Sequence, residues 1–177
     1  DSVALAVVVQ EMVFADAAGI MFTANPINGN RDEVIINAAW GLGEAIVSGA
    51  VTPDTLTVDK QKGRVIRRET AEKSVMTIRT ESGVREESVP DPLKKKAVLT
   101  NAQAIELTRF GAQIESLYEM PMDIEWTLAN KKFAIVQARP ITSLPDVLEW
   151  LLPNPKAVMA RGSFAEFVPE PISPLFA

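Results

Sequence analysis

The sequence predicts an α+β chain, a mostly antiparallel sheet with helices packed against it, and two patterns lead there. Several short apolar runs alternate with polar residues around brief turns, which is how hairpins read. One long stretch carries apolar residues at helical spacing behind a recognisable cap. Size and composition agree, since 177 residues with 47% hydrophobic and 23% charged side chains can bury a sizeable core.

Residues 3–9, "VALAVVV", are β-rich and of strand length. "QEMVFADAAGIMFTANP" continues with two apolar stretches, Pro26 and "INGNRD" make a turn, and "EVIINAAW" resumes as a strand. "GLGEAIVSGA" reads as a short helix that starts at Leu42 and stops near Gly49. "TLTVDKQKGRVIRRE" is a hairpin, with Leu56 and Val58 before a Lys-Gln-Lys-Gly turn and Val65 after it. "SVMTIRTESGVREESV" is a second hairpin that turns at Ser82 and Gly83. In "LTNAQAIELTRFGAQIESLYEM", Thr100 caps a helix and Gln103 completes a capping box. Leu107, Phe110, Ile114 and Leu117 form the stripe expected to face the core. From residue 144 onward six prolines break the chain into extended pieces, so residues 144–177 read as a Pro-rich linker leading into a further domain.

Composition excludes several kinds of function. A net charge of -5, with only the lysines at 94–96 as a basic tract, argues against broad nucleic-acid binding. No apolar run is long enough to span a bilayer and no signal peptide is recognisable, so a soluble cytoplasmic protein is the expectation. Without cysteine there is no disulfide framework or thiolate metal site. Without histidine the commonest general base and transition-metal ligand are missing too. Chemistry here falls to carboxylates, amides, Lys, Arg or backbone groups.

The segment "DIEWTLANKKFAIVQARP", residues 123–140, concentrates such groups. Strict alternation puts Ile124, Trp126 and Leu128 on one face and Asp123, Glu125 and Thr127 on the other. In the returning strand it puts Ala134, Val136 and Ala138 together, opposite Phe133, Ile135, Gln137 and Arg139. A turn at residues 129–132 brings Glu125 near Gln137, away from the turn. A carboxylate and an amide oxygen suit Mg²⁺, which takes one or two protein ligands beside phosphate oxygens. Arg139 on the same face offers its fork to a phosphate. A surface hairpin with an Arg–Glu salt bridge fits the same spacing equally well. Two weaker signals accompany it. The glycines of "GLGEAIVSG" can present backbone N–H groups to phosphate, though tight turns use glycine for steric reasons alone, and Glu44 beside phosphate calls for a cation. Gln10 and Glu11 interrupt an apolar stretch, as an adenine-binding edge or a solvated strand end would.

In this order, "VQEMVFADAAGIMFTANP", "INAAWGLGEAIVSGAVTPD" and "DIEWTLANKKFAIVQARP" resemble the nucleotide-binding domain of phosphoenolpyruvate synthase and pyruvate phosphate dikinase over roughly residues 3–143. The resemblance implies the C-terminal part of an ATP-grasp domain at residues 1–143. It implies phosphoryl transfer from ATP to a histidine on a separate swivelling domain, and from there to pyruvate or another acceptor. Carried over by motif, Glu125 and Gln137 would bind the Mg²⁺–ATP phosphates with Asp123 nearby, and Arg139 would contact phosphate. Glu125 and Arg139 would be the catalytic pair. Gln10, Glu11, Met12 and Val13 would line the adenine pocket, with Glu44 near the phosphates. The family's Lys and Arg from an N-terminal subdomain, and its histidine, have no counterpart in this chain. A fragment inactive by itself is therefore expected, one that relies on that subdomain and on the phosphohistidine domain of the same protein. "ARGSFAEFVPEPISPLFA", residues 160–177, is more similar to the acceptor-binding insertion of the related rifamycin phosphotransferases, which leaves pyruvate and an antibiotic as alternative acceptors. A non-catalytic nucleotide-binding module is the other alternative. Retention of Glu125, Gln137 and Arg139 together argues against it.

Overall fold

The computed structural model describes residues 6–47, 49, 51–80 and 83–145. The linker expected at residues 144–177 lies almost wholly outside the described residues, as do residues 3–5 of the first expected strand and Ser82 of the second hairpin.

Six strands form one sheet in the order β4-β3-β2-β1-β7-β8, with every neighbouring pair antiparallel. They are β1 (Ala17–Phe22), β2 (Glu33–Trp40), β3 (Asp54–Asp59), β4 (Arg64–Glu69), β7 (Met122–Ala129) and β8 (Lys132–Pro140). β5 (Val75–Thr80) and β6 (Gly83–Ser88) make a separate two-stranded sheet. The helices are α1 (Glu44–Val47), α2 (Asp91–Lys94) and α3 (Asn101–Tyr118). The α+β class and both expected hairpins are present, and "EVIINAAW" is a strand over its full length. The first hairpin closes through Asp59, whose carbonyl accepts the Gly63 N–H at 2.9 Å and whose carboxylate accepts the Lys62 N–H at 2.8 Å.

α3 starts as the sequence indicates. The Thr100 side chain accepts from the Gln103 N–H and the Gln103 side chain accepts from the Thr100 N–H, so two otherwise orphaned donors are satisfied. Leu107 is buried and Ile114 packs against the core as expected, but the rest of the helix's buried face differs from the expected stripe. Ala104, Leu107, Thr108 and Gly111 are buried, whereas Phe110 is 37% and Leu117 78% exposed. The reason is close approach: a Cβ on Gly111 would come within 2.7 Å of the Met21 methyl carbon, so small side chains set the contact with the sheet. Phe110 instead reaches over the sheet's edge and meets Phe133 edge-on at 6.5 Å, and Phe133 meets Trp126 at 5.7 Å. α3 covers the face that carries Met21, Ile36, Leu56, Val58, Ile124 and Trp126, which are fully or almost fully buried. Arg68 ties β4 to the start of α3 by donating to the Leu99 carbonyl and the Asn101 side chain, at 2.9 and 2.8 Å.

Two further expectations need correction. Residues 6–9 form no strand, and Val7, Val8 and Val9 are 86–95% exposed; no described strand pairs with them to satisfy their backbone groups. The helix expected from Leu42 begins at Glu44 and lasts one turn, because Leu42 donates its N–H to the Thr77 carbonyl at 2.8 Å and is held outside it. Gly49, with φ of 72°, follows as expected of a stop.

The 122–140 hairpin shows the most consequential departure. Asn130 (φ 50°) and Lys131 (φ 63°) form a two-residue loop with both residues left-handed, the arrangement that matches strand twist. From there Leu128 pairs with Phe133, Thr127 with Ala134 and Trp126 with Ile135, but Glu125 pairs with Gln137. Val136 is an extra residue, a bulge, and it reverses the alternation. Phe133 and Ile135 join Trp126 and Leu128 on the α3 side, followed by Ala138 opposite Ile124. Gln137 and Arg139 fall on the other face, with Asp123 and Glu125. The strict alternation expected of β8 would have put all four of Phe133, Ile135, Gln137 and Arg139 together. β4, the other edge strand, carries an equivalent irregularity at Ile66. Bulges and charges at both edges discourage pairing with another chain.

A buried ion pair fixes the long connection between β4 and α3. Lys73 and Asp54 are 1% and 0% exposed and lie 2.5 Å apart. Asp54 also accepts the N–H groups of Ala71 at 3.0 Å and Val98 at 2.8 Å, and Lys73 donates to the Ala71 carbonyl at 2.8 Å. Breaking such a pair leaves one charge stranded. Asp54→Ala is expected to lose about 3–5 kcal/mol of unfolding free energy by denaturant titration, as typical for a broken buried pair. Deleting Val136 leaves an uninterrupted ladder in which Gln137 still opposes Glu125 and Arg139 still opposes Asp123, with every side chain on its present face. That variant is expected to keep its cooperative melting transition, and loss of the transition would refute the bulge.

Candidate functional site

The sheet face opposite α3 carries, on the last two strands at one edge, Asp123, Glu125 and Thr127 of β7 beside Arg139, Gln137 and Ala134 of β8. A cavity of about 570 Å³ opens over this face, a size ordinary for a small-molecule site. Five parts of the chain line it, one of them β1 through Gly19. The non-regular segment before β1 contributes Gln10, Glu11, Met12 and Val13; the turn into α1 contributes Leu42, Gly43 and Glu44; β6 contributes Val84; the 122–140 hairpin contributes Glu125, Thr127 and Val136.

The sequence therefore named six of the lining residues: Gln10, Glu11, Met12, Val13, Glu44 and Glu125. Gln137, Arg139 and Asp123 are outside the lining and continue the Glu125 face along the strands, away from the turn. Glu125 and Gln137 are direct cross-strand partners, the juxtaposition expected from the turn. Among the described residues neither side chain is engaged by a hydrogen bond or an ion pair. Arg139 is engaged. Its Nε and one terminal nitrogen donate to the same oxygen of Asp123, Oδ2, at 2.9 and 2.8 Å. The salt bridge that spacing allowed thus exists, with Asp123 rather than Glu125 as the acid. Asp123 is nearly buried while the Arg139 side chain is 62% exposed, so the acid is a fixed anchor and the guanidinium keeps donors free. Oδ1 of Asp123 is buried with no partner.

The bulge also builds the other wall. The extra residue of a bulge drops out of the ladder, and the Val136 carbonyl accepts the Gln10 side-chain N–H at 3.0 Å. That bond draws the segment before β1 across the hairpin and places residues 11–13 at the cavity. Gly41 fixes the opposite side. Its φ is 80°, and a Cβ there would lie 2.3 Å from the Thr77 carbonyl oxygen, so only glycine lets the turn pack this tightly against β5.

Val84 is one lining contact the sequence did not disclose, beside Gly19, Trp126, Ile135 and Val136. The β5–β6 hairpin reads as an ordinary polar hairpin, and only its docking on Gly41 and Leu42 carries Val84 to the cavity. Thr127 was placed on the right face without a role. Among the described residues no helix is long and apolar enough to cross a membrane.

Comparison with known proteins accords with this geometry. Residues 1–149 match the family model described as pyruvate phosphate dikinase, AMP/ATP-binding domain. A probable phosphoenolpyruvate synthase of Methanocaldococcus jannaschii is 48% identical over 143 residues, 80% of this chain and 12% of that protein. The phosphoenolpyruvate synthase of Pyrococcus furiosus is 47% identical over 152 residues, 80% of this chain and 18% of that protein. The rifampicin phosphotransferase of Bacillus subtilis is 41% identical over 172 residues, 97% of this chain and 20% of that protein. The chain thus spans a fifth or less of the length of these relatives. The cavity, with Glu125 facing it and Gln137 alongside, lies wholly inside the matched segment, and the chain belongs to the pyruvate phosphate dikinase AMP/ATP-binding domain family.

Proposed function

We propose that this chain is the C-terminal part of an ATP-grasp domain and binds Mg²⁺–ATP for a cytoplasmic phosphotransferase of the phosphoenolpyruvate-synthase type. The observation that carries the proposal is the Glu125–Gln137 pair. These two oxygen donors are set directly opposite each other on the cavity face and are engaged by nothing else among the described residues. A carboxylate and an amide oxygen are hard ligands of the kind Mg²⁺ accepts, with its other positions left to phosphate oxygens and water. Bound there, the metal would neutralise phosphate charge.

The chain's own residues divide the remaining work. Arg139 offers the donors that Asp123 does not use to a phosphate oxygen, and Asp123 keeps the guanidinium aimed along the face. Asp123, expected beside the metal, has one oxygen committed to Arg139; its buried Oδ1 is the part left to face the metal shell. Residues 10–13 line the end taken to hold the adenine, and Glu44 lies at the mouth of the Gly-rich turn. Phosphoryl transfer asks mainly for positioning and charge neutralisation, so a site without histidine or cysteine is chemically adequate for the ATP half of the reaction. The receiving histidine belongs to another domain of the protein, and residues 144–177 lead toward a further domain.

Pyruvate is the acceptor on this reading. One observation favours an antibiotic instead: the Bacillus subtilis rifampicin phosphotransferase aligns over 97% of the chain, well into the tail, against 80% for the two synthases. Both readings use the same ATP site. Calorimetric titration of ATP is expected to give heat only with Mg²⁺ present, and Glu125→Ala is expected to lose the Mg²⁺-dependent component at least tenfold in affinity. Equal binding by the variant would remove Glu125 from the metal site. Adding pyruvate or rifampicin to the complete protein and following the phosphorylated product decides the acceptor.

A further inference from the structure

The β5–β6 hairpin is a sheet of its own. Two strands alone are marginally stable in water, so what grips the hairpin decides where it sits. At its base, Lys73 donates its backbone N–H to the Lys94 carbonyl and Val89 donates to Ser74, both at 2.9 Å, next to the buried Lys73–Asp54 pair. Midway, Thr77 bridges Gly41 and its carbonyl accepts the Leu42 N–H. Further along β5, the guanidinium carbon of Arg79 stands 4.4 Å above the centre of the Phe14 ring.

The Phe14 contact matters because of where that residue lies. Residues 6–15 have no regular structure, yet residues 11–13 line the cavity. They are strung between two side-chain anchors: Gln10 on the Val136 carbonyl before them and Phe14 under Arg79 after them. The first anchor belongs to the cavity wall itself. The second lies outside it, since neither Arg79 nor Phe14 is among the lining residues. We infer that Arg79 is a positioning residue for nucleotide binding, which acts through Phe14 to hold residues 11–13 against the cavity and couples them to the hairpin that supplies Val84. The inference rests on the proposed nucleotide site.

The test measures two things on the wild-type protein, Arg79→Ala, Arg79→Lys, Phe14→Ala and the Arg79→Ala/Phe14→Ala double variant. One is the affinity for Mg²⁺–ATP; the other is the backbone order of residues 11–13 from nitrogen-15 relaxation, which sees the relevant fast motions. Arg79→Ala and Phe14→Ala are each expected to weaken ATP binding about two- to five-fold, the range of one exposed cation–π contact. The double variant is expected to be no weaker than either single one, because both remove the same contact. Order at residues 11–13 is expected to fall in these variants while β1 and β7 keep theirs, and Arg79→Lys restores both readouts. Wild-type affinity in Arg79→Ala overturns the inference and leaves the nucleotide site standing. So does additive loss in the double variant, or loss of order throughout the sheet. A wild-type protein that is folded and binds no ATP overturns the nucleotide site and the inference together.

Discussion

A single extra residue, Val136, organises the functional face of this chain. Were Val136 held in the ladder instead of bulging from it, the side chains of β8 would alternate without interruption, and Gln137 would follow Ile135 and Phe133 toward α3. A carboxamide and a guanidinium buried there would have to give up water with no partner, at a cost of several kcal/mol each. With the bulge, the apolar half of β8 closes the core over Trp126 while the polar half turns to the open face. The same irregularity exposes a backbone acceptor, and Gln10 uses it to bring a distant segment across the hairpin. Core closure, the oxygen donors on the open face and the cavity wall formed by residues 10–13 thus share one cause. Edge strands tolerate bulges because one side of the ladder is unpaired, so β8 is where such a switch is least costly.

Around this face the molecule separates rigid support from adjustable contact. The sheet and α3 are held by continuous ladders, a closed capping box and a buried apolar layer. The Asp54–Lys73 pair adds a fixed node at the start of β3 that also sets the base of the β5–β6 hairpin. Buried pairs of this kind add little net stability against an apolar alternative but are costly to break, so they act as registration points. The segment before β1 is different. It borrows its position from Gln10 and Phe14, one hydrogen bond and one cation–π contact, and much of its apolar surface is open. Residues that embrace a ligand are suited to such weak anchoring, because they must let it enter and leave.

The family match and the geometry support each other without depending on the same facts. Similarity covers the chain from its first residue to residue 149, while the donor pair and the cavity are features of strand register and packing. The relatives carry different names, phosphoenolpyruvate synthases on one side and a rifampicin phosphotransferase on the other. A domain family can recur in proteins that do different things, since function resides in sites rather than in the fold.

Much of this was legible in the sequence. The strands at 33–40, 54–59 and 64–69, the Thr100 cap and the Glu125–Gln137 pairing all follow from local rules: period-two alternation, turn chemistry and short-range hydrogen bonds. Motif order added the family, and with it Met12 and Val13 beside the Gln10 and Glu11 that the broken apolar stretch had already marked. The misses share a physical origin. Bulge, helix face and docked hairpin are each decided by what lies across the fold. Large apolar residues suggested a stripe through Phe110 and Leu117, but α3 meets the sheet along Ala104, Leu107, Thr108 and Gly111, with Ile114 beside them. Val84 reaches the cavity only because Thr77 meets Gly41, and Arg139 finds Asp123 only through register. The chain's own order of residues therefore determined its elements, its family and its donor pair. Which face each donor meets, and what surrounds it, was decided by tertiary packing, because burial is a property of contacts between segments far apart in the chain.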